Sequence, residues 1–277
     1  MNQCKIVMEV GINANGDLST AKKLIDIAKV AGCDYVKFQK RTIELVYSEE
    51  ELNKPRESPW GTTAREQKHG LEFGKDDYDQ IDAYCRQVGI EWFASPWDVE
   101  AVKFLSQYDL PFIKIASACV TDHKLLRAVS GYGKPKKIIS TGMSTQQEVY
   151  ECCFVLSGEL KYILACTSTY PTLDEEMNLE FITTLQKDYP FCKIGFSNHS
   201  PGIIYMIVAA ALGAHMLEFH ATLDRSMCGS DQAASIEPTG VFKLVKHVRN
   251  LEKAMGDGKW IVFPSEEKVK EKLRRCK

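Results

Sequence analysis

The chain has 277 residues, of which 44% are hydrophobic and 26% charged, values that are typical of a globular protein and exclude a disordered or fibrous one. Thirty-five basic residues oppose 37 acidic ones, so the formal net charge is −2 and no excess of positive charge attracts nucleic acid or an anionic membrane. We therefore predict a small-molecule substrate, with no nucleic acid and no membrane as partner.

Strand-like and helix-like segments alternate along the whole chain. Short runs rich in β-branched residues predict strands at residues 5–10, 34–38, 91–94, 112–116, 137–140, 162–166, 192–196 and 215–219. Apolar residues at helical spacing predict helices at residues 19–31, 76–88, 99–108, 146–156, 179–188, 202–212 and 240–255. Alternating strands and helices indicate a parallel sheet.

Eight strand–helix repeats favour a closed (β/α)8 TIM barrel over an open, doubly wound sheet. The dinucleotide-binding form of the open sheet would place G-x-G-x-x-G after the first strand, and the segment from Gly11 to Gly16 has a different spacing. We predict an α/β protein with a barrel domain at residues 1–260 and a short basic tail at residues 261–277, helical from residue 265.

The longest connection between predicted elements covers residues 40–75 and is rich in charge. It also contains Pro55, Pro59, Trp60 and Gly61. A loop beyond ~15 residues is usually functional or disordered, so we predict that this segment forms a lid on the substrate side.

The N-terminal segment and the cysteines bear on cellular location. The opening residues, MNQCKIVMEVGINANG, contain no basic stretch followed by a long apolar run. The ten cysteines are scattered and include no C-x-x-C pair. We predict reduced thiols and a cytoplasmic protein.

Polar residues follow seven of the eight predicted strands. They lie at the carboxyl ends of the strands, which is the end of a TIM barrel that carries the active site. They include Glu9, Lys37, Gln39, Lys114, Ser117, Ser140, Ser168, Tyr170, Ser197, His199, Glu218 and His220. Two lysines together with several serines predict a cradle for a phosphate and a carboxylate. For either lysine alone, a structural role is an equally good interpretation: the apolar stem packs against the protein, and the ammonium group reaches solvent.

His199 and His220 end two neighbouring predicted strands, so their imidazoles can meet on one divalent ion that keeps positions open for water and substrate. A single histidine is more often satisfied by hydrogen bonds within the protein. Glu9 and Glu218 lie close enough in the predicted barrel to orient metal ligands or bound water.

Eight short motifs come in a fixed order along residues 5 to about 256. They are EVGINANG from Glu9, VKFQ from Val36, SPWGTT from Ser58, KIAS from Lys114, ISTGM from Ile139, CTSTYP from Cys166, GFSNHS from Gly195 and LEFH from Leu217. Together they resemble the sialic acid synthase family, the phosphoenolpyruvate-dependent nonulosonate synthases.

The resemblance implies a TIM-barrel enzyme that joins C3 of phosphoenolpyruvate to the open-chain aldehyde of an N-acylated hexosamine. A metal-activated water attacks C2, and the products are phosphate and a 2-keto-3-deoxy sugar acid. The implied cofactor is a divalent metal, Mn²⁺ before Mg²⁺ or Co²⁺.

The resemblance also implies a role for each motif residue. The residues expected to contact phosphoenolpyruvate are Lys37, Lys114, Ser117, Ser140 and Ser197. The expected metal ligands are His199 and His220. The residues expected to contact the sugar are Gln39, Tyr170 and Asp231. The residues predicted to be catalytic are Glu9, Lys37, Lys114, His199, Glu218 and His220. Thr63 and Ser168 are predicted to bind substrate, and Trp60 or Thr63 of the lid is expected near the sugar.

Four residues depart from the family pattern. Ala14 stands where the family has histidine, Cys119 where it has a glutamate that contacts the sugar, Ser168 where asparagine is usual, and Asn198 where aspartate is usual. These departures leave the acceptor sugar open.

Family members usually continue into an antifreeze-like domain that reaches across a dimer, whereas this chain resembles the barrel domain only. We predict a homodimer whose site is covered by a separate antifreeze-like polypeptide, by the lid, or by nothing. Two other functions remain open. One is a class I aldolase with a Schiff-base lysine, and the other is a catalytically silent barrel that serves as a binding or scaffold subunit.

Overall fold

A computed structural model describes residues 3–156 and 158–276 and contains one closed barrel of eight parallel strands. We number them β1 (Lys5–Glu9), β2 (Tyr35–Lys40), β3 (Glu91–Pro96), β4 (Phe112–Ile115), β5 (Lys136–Ser140), β6 (Leu160–Cys166), β7 (Lys193–Asn198) and β8 (Met216–His220). Each strand pairs with the next in the chain, and β8 pairs with β1. This closure confirms the TIM-barrel prediction and excludes the open sheet. The ends of the strands differ from the predicted ones by at most two residues.

Eight helices cover the outside of the barrel. They are α1 (Leu18–Ala31), α2 (Lys75–Val88), α3 (Val99–Leu105), α4 (His123–Gly131), α5 (Gln146–Val155), α6 (Phe181–Asp188), α7 (Ile204–Ala211) and α8 (Pro238–Ala254). The first shows why these segments are helical: the Asp17 side chain accepts hydrogen bonds from the backbone N–H groups of Ser19 and Thr20, and Gly32 ends the helix at a φ of 89°.

Helix α4 is the one barrel helix that the sequence analysis did not predict. Asp122 caps its N-terminus, and Leu125, Leu126 and Val129 bury its inner face. The helix has only nine residues, too few for a strong periodic pattern.

A ninth helix, α9 (Pro264–Leu273), lies in the predicted tail. Lys277, the last residue of the predicted tail helix, lies outside the described residues. The division of the chain at residue 260 stays a prediction. No helix in the described part of the chain combines the length and apolar character needed to cross a membrane.

The segment between β2 and α2 is built from regular elements. It contains the short helices Ile43–Val46 and Glu49–Leu52, a hairpin of strands Pro55–Ser58 and Gly61–Thr63, and the helix Ala64–Leu71. The indole of Trp60 packs directly on Gly70, where an added Cβ would lie 2.1 Å from the ring. We call residues 40–75 the lid.

The barrel interior changes from apolar to polar along six of the eight strands. Its lower layer is a buried cluster of Val7, Phe93, Phe112, Ile138, Tyr162, Leu164 and Met216. Side chains two residues apart share one side of a strand. The residues two positions further on are Glu9, Ser95, Lys114, Ser140, Cys166 and Glu218. An apolar plug therefore seals the lower barrel, and polar groups gather at its carboxyl end.

Candidate active site

A cavity of about 130 Å³ opens at the carboxyl ends of the strands, and we call it the inner cavity. The predicted site residues that line it are Lys37, Gln39, Lys114, Ser117, Ser140, Ser168, Tyr170, His199, Glu218 and His220. Residues from six different strands or strand ends thus meet in one place, as expected for a barrel enzyme.

Two lysines and two glutamates form a buried ion-pair cluster at the floor of this cavity. The ammonium nitrogen of Lys37 lies 2.8 Å from Oε2 of Glu9 and 3.6 Å from Oε1 of Glu218. The ammonium nitrogen of Lys114 lies 2.5 Å from the same Glu218 oxygen. At most 5% of any of these side chains is exposed, so each charge depends on its partners for stabilisation.

The cluster fixes the charge of its members. Burial alone would lower the pKa of Lys37, but Glu218 and Glu9 outweigh it and hold the pKa above its usual value. Burial alone would raise the pKa of Glu218, but Lys114 and Lys37 bring it below the usual value. Burial raises the pKa of Glu9, and the opposing effect of Lys37 is smaller. The inner cavity therefore holds fixed cations beside a firmly ionised Glu218.

Ser197 and Glu9 are predicted site residues that do not line the cavity. The Ser197 hydroxyl donates a hydrogen bond to Oε1 of Glu218 at 3.3 Å, and β7 places it opposite Glu218 of β8. Glu9 accepts a hydrogen bond from the Gln39 amide at 2.7 Å and lies in register between Lys37 and His220. Both residues therefore position groups that face the cavity.

Serine hydroxyls line the wall next to the lysines. A Cβ added to Gly142 would lie 2.1 Å from the Ser168 hydroxyl oxygen and 2.9 Å from that of Ser117, so only glycine fits between them. The Ser140 hydroxyl is buried and has no hydrogen-bond partner among the described residues. An unpartnered buried hydroxyl is costly, which favours a ligand that binds it.

The two predicted metal ligands lie side by side, with 5.4 Å between their ring centroids. Nδ1 of His199 lies 2.7 Å from the Thr167 carbonyl, and Nε2 lies 2.8 Å from the Tyr170 hydroxyl. Within the described part of the chain, Nδ1 of His220 is buried without a hydrogen-bond partner, and Oδ2 of Asp231 is 3.5 Å away.

The surroundings of the two imidazoles shift their pKa values in opposite directions. Burial, with the positive charges of His199, Lys37 and Lys114, lowers the pKa of His220 well below its usual value. Burial also lowers the pKa of His199, but the Cys166 thiolate outweighs it and leaves the pKa raised. In turn, His199 overcomes burial and lowers the pKa of the Cys166 thiol to about 7. His220 is therefore neutral and has a lone pair to donate.

A second cavity of about 270 Å³, the outer cavity, adjoins the inner one, with Gln39, Trp97 and Tyr170 lining both. Asp231 lines the outer cavity. The lid residues that line it are Arg41, Ile43, Tyr47, Arg56, Gln67, Lys68, Leu71 and Glu72. The lid is therefore ordered over the barrel rim, as the sequence predicted.

Two of the lid residues predicted near the sugar site lie elsewhere. The Thr63 hydroxyl accepts a hydrogen bond from the Glu66 backbone N–H at 3.2 Å and donates one to the Glu66 carboxylate at 2.9 Å, capping the helix Ala64–Leu71. Neither Thr63 nor Trp60 lines the inner or the outer cavity. Thr63 therefore caps a helix, and its contact with substrate stays a prediction.

Comparison with known proteins agrees with this geometry. The sequence model of the NeuB family matches residues 24–260. The chain belongs to the NeuB family. This membership confirms the resemblance to sialic acid synthases.

Relatives of this NeuB-family chain include human N-acetylneuraminate-9-phosphate synthase, with 39% identity over 98% of this chain and 76% of the human protein. The N,N'-diacetyllegionaminic acid synthase of Campylobacter jejuni is 35% identical over 97% of this chain and 82% of its own length. The crystal structure of the sialic acid synthetase of Leptospira borgpetersenii in complex with citrate superimposes with a TM-score of 0.84 at 30% identity, covering 99% of this chain and 94% of that one.

The positions where this NeuB chain departs from the family pattern are mostly turned away from the cavities. Ala14 and Cys119 are buried and line neither cavity. The Asn198 amide donates hydrogen bonds to the carbonyls of Ser200 and Gly202, which fixes the loop after His199. Of the four departures, Ser168 alone lines the inner cavity.

The sequence analysis missed several residues of the NeuB site. Ser95 lies 3.3 Å from the Lys37 ammonium group and is the last but one residue of β3, the one strand for which no polar end was predicted. The Arg41 guanidinium lies 4.4 Å from the centroid of the Trp97 ring, and both residues line the outer cavity. No sequence signal identifies this pair, because the path of the lid brings them together.

Proposed function

We propose that this NeuB-family enzyme condenses phosphoenolpyruvate with the open-chain aldehyde of an N-acylated hexosamine. The products are a 2-keto-3-deoxy sugar acid of the sialic acid type and phosphate. The observation that carries the proposal is the buried ion-pair cluster of Lys37, Lys114, Glu9 and Glu218 at the floor of a cavity lined by serine hydroxyls. Fixed cations and hydroxyl donors match a small, highly charged phosphate ester.

In the proposed complex, Lys37 and Lys114 bind the phosphate and carboxylate of phosphoenolpyruvate. Both ammonium groups are already held in place by carboxylates, so little ordering is lost when the ligand binds. Ser117 and Ser140 supply hydroxyl donors from the same wall. Ser197 acts through Glu218, to which it donates its hydrogen bond.

The reaction forms one C–C bond and breaks one C–O bond. The electron pair of the C2–C3 double bond of phosphoenolpyruvate attacks the aldehyde carbon, whose oxygen takes up a proton. C2 becomes electron-deficient, and the carboxylate of Glu218, which lines the cavity, stabilises that charge. Glu9 positions Lys37 beside it. Water then adds to C2 and loses its protons, the C2–O bond to phosphate breaks, and a 2-keto acid remains.

His199 and His220 would hold a divalent ion, Mn²⁺ before Mg²⁺ or Co²⁺. The donor set fits, because burial keeps His220 neutral and the Thr167 carbonyl fixes the orientation of the His199 ring. No group of three or more ligating side chains occurs among the described residues, so water and substrate would complete the coordination. When bound, the ion supplies Lewis-acid polarisation of oxygen atoms.

The outer cavity is the proposed sugar site. Gln39 and Tyr170 line both cavities. In the proposed complex they lie at the junction where the aldehyde meets C3 of phosphoenolpyruvate. Asp231 lines the outer cavity close to His220, and Ser168 contributes a hydroxyl from the inner side. The lid over this cavity limits the access of water to the reacting carbons.

The structure disfavours a Schiff-base aldolase. Such an enzyme needs a neutral lysine amine as nucleophile. Lys37 and Lys114 are instead both paired with carboxylates, and the pKa of Lys37 is raised. Borohydride treatment with substrate should therefore trap no imine. A silent scaffold is also disfavoured, since the ion-pair cluster and both imidazoles remain assembled around one cavity.

The oligomeric state, location and covering of the site are further parts of the proposal. We propose a cytoplasmic protein, since all ten cysteines are free thiols. We also propose a homodimer, as the resemblance to sialic acid synthases implies. Light scattering of the purified protein should give twice the chain mass. Adding a separate antifreeze-like polypeptide tests the alternative cover: a large gain in activity would show that the lid alone does not complete the site.

The deciding experiment is a panel of aldehyde sugars incubated with phosphoenolpyruvate and manganese. We expect phosphate release together with a product whose mass equals the acceptor plus the pyruvate unit. Phosphate release without a new sugar acid, or no release with any N-acylated hexosamine, would contradict the proposed reaction.

A further inference from the structure

The Tyr170 hydroxyl is bound to the nitrogen through which His199 would hold a metal ion. Nδ1 of His199 lies 2.7 Å from the Thr167 carbonyl, which can only accept a hydrogen bond, so in the neutral ring Nδ1 carries the hydrogen. Nε2 therefore has the lone pair, and the Tyr170 hydroxyl donates a hydrogen bond to it at 2.8 Å. One lone pair serves one partner, so the hydroxyl and a metal ion compete for Nε2.

Packing holds the Tyr170 ring where this contact forms. The ring is stacked on that of His199, with 4.0 Å between the centroids and 25° between the planes. It meets the His220 ring edge to face, with 5.6 Å between the centroids. The phenol side chain therefore lies against both predicted metal ligands, and its hydroxyl has to leave Nε2 when an ion binds there.

The backbone next to Tyr170 limits this movement to the side chain. The Thr172 N–H donates a hydrogen bond to the His199 carbonyl at 2.8 Å, and the Thr172 hydroxyl donates one to the Thr169 carbonyl at 2.9 Å. The loop after β6 is therefore tied to the end of β7. Tyr170 itself is 44% exposed, so its ring has room to turn away from His199.

A hydroxyl released from His199 stays beside the acceptor site. Tyr170 lines both cavities, and the outer one is the proposed sugar site. In the described part of the chain, His199 is the only hydrogen-bond partner of the Tyr170 hydroxyl. A hydroxyl that loses its partner is stabilised by a new one. An open-chain sugar in the outer cavity offers several oxygen atoms that can accept its hydrogen bond.

We propose that Tyr170 links the metal site to the acceptor site. The ion displaces the Tyr170 hydroxyl from Nε2 of His199, and the released hydroxyl donates a hydrogen bond to the acceptor. The inference rests on the proposed function and adds an order of binding to it. The ion binds first, against the hydrogen bond that it breaks, and the acceptor then supplies the hydroxyl with a new partner. Until the ion is bound, the acceptor site lacks one of its donors.

The experiment compares the wild-type protein with Tyr170→Phe, which keeps the ring and removes the hydroxyl. Calorimetry gives the dissociation constant of Mn²⁺ without substrate, and then that of N-acetylmannosamine for the manganese-loaded protein without phosphoenolpyruvate. We expect Tyr170→Phe to bind Mn²⁺ about 3- to 10-fold more tightly, because the hydroxyl no longer competes for Nε2. The variant should bind N-acetylmannosamine about 3- to 10-fold more weakly, because one hydrogen bond to the sugar is lost. A merely structural role of the hydroxyl would weaken the binding of both.

Tyr84→Phe is the matched control. It removes a hydroxyl that donates a hydrogen bond to Asp26 at 2.8 Å, between helices α1 and α2 on the outside of the barrel. Tyr84 lines neither cavity, so the change should alter neither dissociation constant. Circular dichroism establishes that both variants are folded.

Four outcomes overturn the inference. An unchanged Mn²⁺ affinity in Tyr170→Phe would show that the hydroxyl does not compete for His199, and a weaker Mn²⁺ affinity would make the hydroxyl a ligand of the ion. N-acetylmannosamine that binds both proteins equally, or neither, would exclude the release of the hydroxyl to the acceptor. Absence of Mn²⁺ binding to both proteins would overturn the inference together with the metal assignment.

Failure of the proposed function is a separate result. If no aldehyde sugar is condensed with phosphoenolpyruvate, the proposed reaction is wrong. The Mn²⁺ measurement uses no substrate, so it still decides whether Tyr170 and the ion compete for His199.

Discussion

Replacement of Lys114 by methionine tests the ion-pair cluster most directly. The side chain keeps its length but loses the ammonium group that lies 2.5 Å from Oε1 of Glu218. Lys37, at 3.6 Å from the same oxygen, becomes the nearest cation to a carboxylate that is only 2% exposed. Glu218 is therefore left as a buried charge with incomplete compensation.

The expected loss in the free energy of unfolding is about 3–5 kcal/mol at neutral pH, the usual cost of removing one partner of a buried ion pair. The loss should depend on pH. Lys114 and Lys37 hold the pKa of Glu218 down against burial, so without Lys114 that pKa rises. The native variant then binds a proton that the unfolded chain has released, so its stability falls as pH rises.

The assay is urea unfolding at about pH 5 and about pH 7.5, with phosphoenolpyruvate binding measured by calorimetry. The stability deficit of Lys114→Met should be larger at the higher pH, where the unfolded carboxylate is fully ionised. Phosphoenolpyruvate affinity should fall by about 10- to 100-fold through the lost charge-assisted contact, and acceptor affinity should fall less. Lys37→Met should weaken phosphoenolpyruvate binding in the same way.

Two further variants make the result specific. Lys161→Met removes an exposed charge from β6 and should change stability by less than about 1 kcal/mol. Adding Glu218→Gln to Lys114→Met removes the uncompensated charge and should restore about half of the lost stability or more. A deficit below about 1 kcal/mol, or one that is equal at both pH values, would refute the assignment of a buried, ionised pair.

Three other predictions concern metal, backbone and lid. Chelation should abolish turnover and manganese restore it, while the His199→Ala, His220→Ala double variant should lose bound metal without unfolding; full activity in that variant contradicts the ligand assignment. Gly142→Ala should push apart Ser117 and Ser168 and lower kcat/KM by about 100-fold, and unchanged kinetics would mean that the serines do not position substrate. Deleting residues 55–62 should lower turnover with unaltered far-ultraviolet circular dichroism, and full turnover would exclude a catalytic role for the hairpin.

Most of the barrel and its polar floor could be predicted because strand geometry alone determines them. Side chains alternate along a strand, so an inward Val7 implies an inward Glu9, and an inward Phe112 implies an inward Lys114. Strand ends in a barrel then bring such residues together. The register that sets Glu9 between Lys37 and His220 is a consequence of closure.

The outer cavity could not be predicted in the same way, because its wall depends on how the lid folds back over the rim. Arg41 and Trp97 meet through tertiary packing that leaves no periodic pattern in the sequence. The capping role of Thr63, by contrast, could be predicted from the sequence. Thr63 and Glu66 have the spacing of a capping box, which predicts a helix start and a hydroxyl engaged with its own backbone.

The charge balance of the ion-pair cluster has a consequence for how the ligands bind. Two ammonium groups face two carboxylates, so the cluster is close to neutral before any ligand enters. The trianion of phosphoenolpyruvate would bring negative charge beyond what the cluster offsets, and a divalent ion at the neighbouring imidazoles would supply the missing positive charge. We therefore expect positive cooperativity between the binding of phosphoenolpyruvate and the binding of the divalent ion. Because a coupling free energy is reciprocal, manganese should tighten phosphoenolpyruvate by the same factor by which phosphoenolpyruvate tightens manganese.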